Sequence, residues 1–152
     1  MKQSAGILLY RKRGNKVEFF LVHPGGPFFA KKQEGVWTVP KGELMQGEEP
    51  LACALREFKE ETGHQISGDL MPLKPVTQKG GKVVHCWALH QELDPTSIVS
   101  NTFSIEWPPR SGKMKSFPEI DKAGWFELDE AKRLINERQV DFLMEVISMV
   151  HK

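Results

Sequence analysis

The chain is short of cysteine, has no long apolar run and carries no excess charge of either sign, and each shortage argues against a class of protein. Two cysteines in 152 residues, Cys53 and Cys86, stand far apart with no CxxC or Cys/His spacing around them. A zinc site and a disulfide framework are both disfavoured, and a reducing compartment is the expected setting. No stretch approaches the ~18 apolar residues of a membrane span. Met1 to Arg11 returns to charge after a few apolar residues, which suits a strand better than a signal-peptide core and makes the cytoplasm the expected location. Lys plus Arg number 21 against 20 Asp plus Glu. That balance removes the electrostatic reason for a protein that coats DNA or an anionic membrane, while leaving room for a local basic pocket facing a phosphorylated ligand.

What is present is the composition of a soluble globular protein, 39% hydrophobic and 27% charged. The length fits one domain over residues 1–152. Ala5 to Tyr10 and Val17 to His23 are rich in Ile, Leu, Val and Phe and flank the turn residues Arg13-Gly14-Asn15-Lys16, so a hairpin is expected. A loop runs from His23-Pro24-Gly25-Gly26-Pro27 to about Gly35, and Trp37 to Val39 forms a brief strand. Glu49 to Thr62 has helical periodicity, with Pro50 suited to the first turn and Gly63 to the C-terminal cap. Its apolar face is expected to run through Leu51, Leu55 and Phe58, with Ala54 beside them.

Further on, Leu70 to Thr77 and Lys82 to Leu89 flank Gly80-Gly81 as a second hairpin. Phe103 to Trp107 and Gly124 to Leu128 are shorter strands, separated by a polar loop opened by Pro108-Pro109 and carrying Arg110, Lys113 and Lys115. Asp129 is placed as the cap of a short helix ending near Ile135. A last helix is expected to show Val140, Leu143, Ile147 and Val150 on one stripe, beside Phe142, Val146 and Met149. Strands and helices in this order predict an α/β fold with a central mixed sheet.

Chemistry concentrates between Gly42 and Gly63. At ~100° per residue, Glu57, Glu60 and Glu61 gather within about 100° of helix arc. Like charges at i,i+4 repel, so either this is a solvated acidic face or the clustered oxygens serve a hard divalent cation such as Mg²⁺ or Mn²⁺. A Gly-rich turn before the cluster and Arg56 at i−4 from Glu60 favour the second reading.

This segment resembles the Nudix box, G-x5-E-x7-R-E-U-x-E-E-x-G-U, with U a bulky aliphatic residue. Gly42, Glu48, Arg56, Glu57, Phe58, Glu60, Glu61 and Gly63 fall in register; His64 departs from the last aliphatic position, and Phe58 is aromatic. The resemblance implies a Nudix-type α/β/α sandwich with a central mixed β-sheet. It implies metal ligation by Glu57, Glu60 and Glu61, joined by the carbonyl of Gly42, and a buried Glu48–Arg56 ion pair that holds loop to helix while Arg56 orients the carboxylates. The implied activity is Mg²⁺- or Mn²⁺-dependent hydrolysis of a nucleoside diphosphate linked to another group, with Glu57 the first choice of base. Relatives often add a carboxylate from a later loop. Glu119, a few residues before Trp125, is the candidate fourth ligand or alternative base, and Glu106 competes with it.

Lys41, Arg110 and Lys113 are candidates for binding substrate phosphate, against a simple solvated role. Trp107 either stacks on a base or anchors a loop. His23, His85 and His90 are expected to be structural, and Cys53 to pack. The expected substrate is a small nucleotide, a dinucleoside polyphosphate or nucleoside triphosphate first and a nucleotide sugar next. An RNA 5′ end and a catalytically silent nucleotide sensor stand as alternatives. Monomer and homodimer both remain open.

Overall fold

The structure, a computed structural model, describes residues 2–151. β1 (Gln3–Arg13) and β2 (Lys16–Pro24) form the first hairpin, with Tyr10 opposite Phe19 and Arg13 opposite Lys16. Gly14 turns the chain at φ +62°, a conformation that a residue with a Cβ adopts with strain. β3 (Lys41–Glu43) pairs the beginning of β1, and β6 (Val83–His90) runs parallel along β1's other side. A parallel neighbour needs a crossover, and the segment between β2 and β6 supplies it through α1 (Pro50–Thr62). The sheet order is β4-β6-β1-β2-β9, with β4 (Met71–Pro72) and β5 (Val76–Thr77) both against β6 and β9 (Ile120–Glu127) against β2. β1–β6 is parallel and the other pairs are antiparallel, so the sheet is mixed, as expected.

Helices cover both faces. Ala5, Ile7 and Leu9 of β1 and Phe20 and Val22 of β2 pack with Cys53, Ala54 and Phe58 of α1. The alternate residues Leu8, Phe19 and Leu21 face Ala131 and Leu134 of α2 (Leu128–Leu134), and Phe142, Leu143 and Val146 of α3 (Val140–Val150). This two-sided burial is why β1 and β2 are nearly continuous apolar runs and not alternating ones.

Four expectations need correction. In α1 the buried residues are Cys53, Ala54, Phe58 and Thr62, whereas Leu51 is 36% exposed. Leu51 lies in the first turn, and the small residues at 53 and 54 let the helix axis approach the sheet instead. Glu127, not Asp129, precedes α2, and no side chain caps it. On α3 the deepest line is Phe142, Leu143 and Val146, with Val140, Ile147 and Val150 only partly covered.

The fourth correction is the largest. The polar loop after Trp107 is mostly strand: β7 (Thr102–Glu106) pairs with β8 (Met114–Pro118) in a separate two-stranded ribbon. Lys115 is therefore on a strand opposite Ile105. No β-rich alternation marked β8, whose residues are nearly all exposed.

Candidate active site

Gly42 sits in β3 opposite Ala5, where a Cβ would come within 2.0 Å of the Glu57 carboxyl carbon. The missing Cβ leaves the space that the Glu57 carboxylate occupies beside the strand. Beyond it the chain turns through Gly47 at φ +76° and enters α1, with Pro50 in its first turn and Gly63, at φ +80°, closing it by an N–H bond to the Lys59 carbonyl at 2.7 Å.

Arg56 organises the turn and the helix together. Its Nε and Nη2 donate to the two Glu48 oxygens at 2.8 and 2.9 Å. Nη1 donates to Glu57 and Glu60, each at 2.6 Å, and Nη2 also reaches the Glu43 carbonyl at 3.2 Å. Such bidentate, charge-assisted bonds are the strong class. Glu48 also accepts the Met45 N–H at 2.9 Å; the Arg56 bonds first and this one second hold its carboxyl down at about 2. The pair implied by the resemblance is present, but half-buried instead of buried, with Arg56 25% and Glu48 15% exposed.

Glu57, Glu61 and Glu119 are instead shifted upward. Glu61 lies only ~60° around the helix from Phe58 and is drawn inward with it. Burial, aided by the charge of Glu57, pushes Glu61 up to about 8, against a single bond from the Lys41 N–H at 3.2 Å. Burial also raises Glu57, with Arg56 opposing and Glu60 adding to the rise. Glu119, in the one-residue break between β8 and β9, is raised by burial and then by Glu57 and Glu60. The fold thus brings Glu119 within Coulombic reach of the helix cluster across some sixty positions of sequence. Lys41 joins them: burial and the nearby Lys82 lower its ammonium, while Glu61, Glu43 and Glu57 oppose.

Asn101 connects the two halves and escaped sequence reasoning. Its N–H donates to the Glu60 carbonyl and its carbonyl accepts from the Glu119 N–H, both at 2.8 Å; the Glu119 carbonyl in turn accepts from the Gly25 N–H at 2.8 Å. These are main-chain bonds, which leave no trace in residue type. Lys82, which reaches Glu43 at 3.5 Å, was missed for the same want of a local signal.

Glu106 does not join the site, because its carboxylate accepts the N–H groups of Arg110 and Gly112 at 2.9 and 3.2 Å and ties the ribbon tip. Arg110 and Lys113 are exposed at that tip. Four register steps, ~13 Å, separate it from the ribbon's base beside Glu119, so neither residue lies among the carboxylates. His23 is buried between Asp121 and the Lys32 carbonyl, at 2.7 Å from each; His85 meets Gln3, and His90 stacks on Tyr10. All three have structural partners. The Cys53 thiol, pushed up to about 11 by burial, bonds the Gly42 carbonyl at 3.4 Å. His64 fills its unusual position by bonding Ser97 at 3.0 Å.

Among the described residues no three His, Cys, Asp or Glu side chains are grouped closely enough to hold a metal ion as they stand. The donor chemistry nevertheless fits a hard divalent cation. The available groups are carboxylate oxygens and a carbonyl, the one nearby thiol stays protonated, and the raised Glu57, Glu61 and Glu119 mark negative charge that a cation would relieve.

Comparison with known proteins shows the family and the fold. The NUDIX domain family matches residues 1–146, and the chain belongs to that family. A bis(5′-nucleosyl)-tetraphosphatase (asymmetrical) of Caenorhabditis elegans is 39% identical over 59 residues, 39% of this chain and 38% of that protein. The mRNA-decapping protein g5R of African swine fever virus is 31% identical over 111 residues, 68% of this chain and 42% of that protein. An octanoyltransferase of Myxococcus xanthus is 27% identical over 85% of this chain and 32% of its own length. The chain thus spans well under half the length of these curated relatives. Among solved structures, an Ap4A hydrolase of C. elegans superposes with a TM-score of 0.64 at 23% identity, covering 99% of this chain and 97% of that one. The NUDIX domain of Shewanella oneidensis NrtR, solved with ADP ribose, gives 0.64 at 15% identity, covering 99% and 88%. At these identities the likeness is one of fold, and it agrees with the α/β/α sandwich described above.

Proposed function

We propose that residues 1–152 form a single hydrolase domain that cleaves a phosphoanhydride bond in a nucleoside diphosphate linked to another group, with a dinucleoside polyphosphate or nucleoside triphosphate as the preferred substrate. The observation that carries this reading is the set of carboxylates brought together from two distant segments: Glu57, Glu61 and Glu119 are each raised, by burial first and then by neighbouring carboxylate charge, that of Glu60 acting on Glu57 and Glu119. A solvated acidic face would lack the burial that leads each of these rises.

Mg²⁺ or Mn²⁺ is the proposed cofactor, held by Glu57, Glu60, Glu61 and Glu119 with the Gly42 carbonyl. When bound, such an ion neutralises the phosphoanhydride's charge and lowers the pKa of attacking water. Arg56 keeps Glu57 and Glu60 in place, so positioning precedes substrate binding. Glu57 takes the proton from water, since a carboxylate raised by burial is a better base near neutral pH; Glu119 is the alternative. Lys41 offsets phosphate charge beside the cluster, and Arg110 and Lys113 meet the distant end of a long substrate.

The tetraphosphatase relative, whose alignment is short but the more identical, supports the dinucleoside branch. The decapping relative favours a second reading, in which an RNA 5′ end is the substrate. A panel of diadenosine tetraphosphate, nucleoside triphosphates, ADP-ribose and triphosphorylated RNA separates these. Product release that requires added Mg²⁺ or Mn²⁺ is expected, fastest on the first two. Release that persists in chelator overturns the metal assignment, and tight binding without release from any member identifies a nucleotide sensor instead.

A further inference from the structure

The segment that carries Glu119 is held by a side-chain pair that the hydrolytic chemistry does not use. His23, near the end of β2, is fully buried. Its two ring nitrogens lie 2.7 Å from the Asp121 carboxylate and 2.7 Å from the Lys32 carbonyl, and the ring meets Trp37 edge to face at 5.4 Å. Burying an imidazole is costly unless its nitrogens find partners, and here both do.

The register of β2 on β9 shows what the pair holds. From Glu18 opposite Glu127 to His23 opposite Lys122 the strands step evenly, but Pro24 then faces Ile120. Asp121 is the extra residue of a β-bulge and is left out of the ladder. Its carboxylate, 34% exposed, bonds His23 instead. A one-residue shift turns every side chain before it to the other face of the sheet. Ile120 thereby enters the cluster of Phe20, Val22 and Phe58, and the same shift sets the side on which Glu119 leaves the strand.

Past the bulge the pairing resumes for one rung. The Gly25 N–H donates to the Glu119 carbonyl, and the Glu119 N–H donates to the Asn101 carbonyl, both at 2.8 Å. Glycine is needed at 25, because a Cβ there would run into the Pro118 carbonyl. The main-chain bonds fix where Glu119 sits, and the bulge fixes which way it points. Bulges recur beside active sites, where they re-aim a side chain. The charges of Glu57 and Glu60 act on the Glu119 carboxyl, which marks its direction as toward α1.

We propose that His23 is a positioning residue for Glu119: by holding Asp121 in the bulge, it presents the Glu119 carboxylate to the cluster on α1. The proposal rests on Glu119 serving that cluster, as Proposed function has it. His23, being fully buried, acts through Asp121 and not on substrate. Its bond to the Lys32 carbonyl extends the same hold to the loop after β2, so one ring ties together β2, that loop and the start of β9.

The test removes the bond at its partly exposed end. Asp121→Ala deletes the carboxylate, and Asp121→Asn leaves an oxygen for the ring. Amide hydrogen exchange of Gly25 and Mn²⁺ affinity, read by EPR without substrate, are followed in each. Asp121→Ala is expected to speed Gly25 exchange and to weaken Mn²⁺ about tenfold, and Asp121→Asn to recover most of both. In a Glu119→Gln background Asp121→Ala is expected to weaken Mn²⁺ no further, because the pair acts through Glu119. The same added loss in both backgrounds overturns the proposal. Full Mn²⁺ affinity in Asp121→Ala, beside a loss in Glu119→Gln, refutes the positioning role alone and leaves the metal reading standing. Full affinity in Glu119→Gln refutes Glu119 as a ligand, and the proposal falls with it.

Discussion

The turn-and-helix from Gly42 to Gly63 and the ribbon from Thr102 to Pro118 are held in place by opposite means. In the first, charged residues at set intervals are bound to one another: Arg56 alone holds Glu48, Glu57 and Glu60. In the second, cross-strand hydrogen bonds and two aromatic contacts, Phe28 with Trp107 and Phe103 with Phe117, hold nearly exposed strands. The helix rests on a buried core of Ala54 and Phe58; the ribbon has no buried residue of its own. The difference separates the two tasks. Groups that must hold charge against charge are placed by local, over-determined bonding, whereas the exposed ribbon is placed by its neighbours and tolerates change.

The contrast predicts effects of very different size. Glu60→Gln and Glu61→Gln should each lower turnover by at least about a hundredfold, with the far-UV spectrum and thermal midpoint near wild type; unchanged turnover in both would remove the metal assignment. Gly42→Ala comes next. Its Cβ would displace the Glu57 carboxylate, the mobile end of a side chain, so the fold should survive while turnover falls roughly tenfold, on the order of the cost of a small misplacement of a reacting group. A variant with full activity would show that Glu57 need not sit where it does.

Glu48 tests the same region through pH. Its folded value, about 2, lies below the ordinary 4.5, so the unfolded chain binds the proton more readily. Its stabilising contribution is complete above about pH 4.5 and is lost as pH falls toward 2. Urea melts of wild type should therefore show stability declining through that window, and Glu48→Gln should flatten the decline; identical slopes would refute the assignment. The smallest effect belongs to the ribbon. Removing both tip cations with Arg110→Ala and Lys113→Ala should raise KM about threefold at low salt, less at high salt, and leave kcat alone. A large fall in kcat would erase the distinction between the two regions.

The unequal bonding also explains what could be read in advance. The β1–β2 hairpin and α1, with Pro50 and Gly63 at its ends, were legible because each depends on residues within a few positions of one another, whereas the Glu48–Arg56 pair was reached through resemblance. Glu119 was reached through resemblance and not from its own neighbourhood. The ribbon's first strand was expected near Phe103 to Trp107, but its second was read as a loop because Met114 to Pro118 lacks an apolar alternation and gains its strand geometry by pairing with Thr102 to Glu106. Leu51 was placed inside for its hydropathy, yet it overhangs the sheet, a matter of where the helix starts relative to its partner.

The chain's residues alone determined the helix, the spacing of its carboxylates and the family to which it belongs, since backbone preference and i,i+4 geometry act locally. Tertiary structure decided the rest. Asn101 bridges Glu60 and Glu119 by main-chain bonds, Glu61 is half-buried among like charges, and Phe28 meets Trp107. Each of these depends on two segments arriving at one point, where burial and Coulombic repulsion act through space and not along the chain.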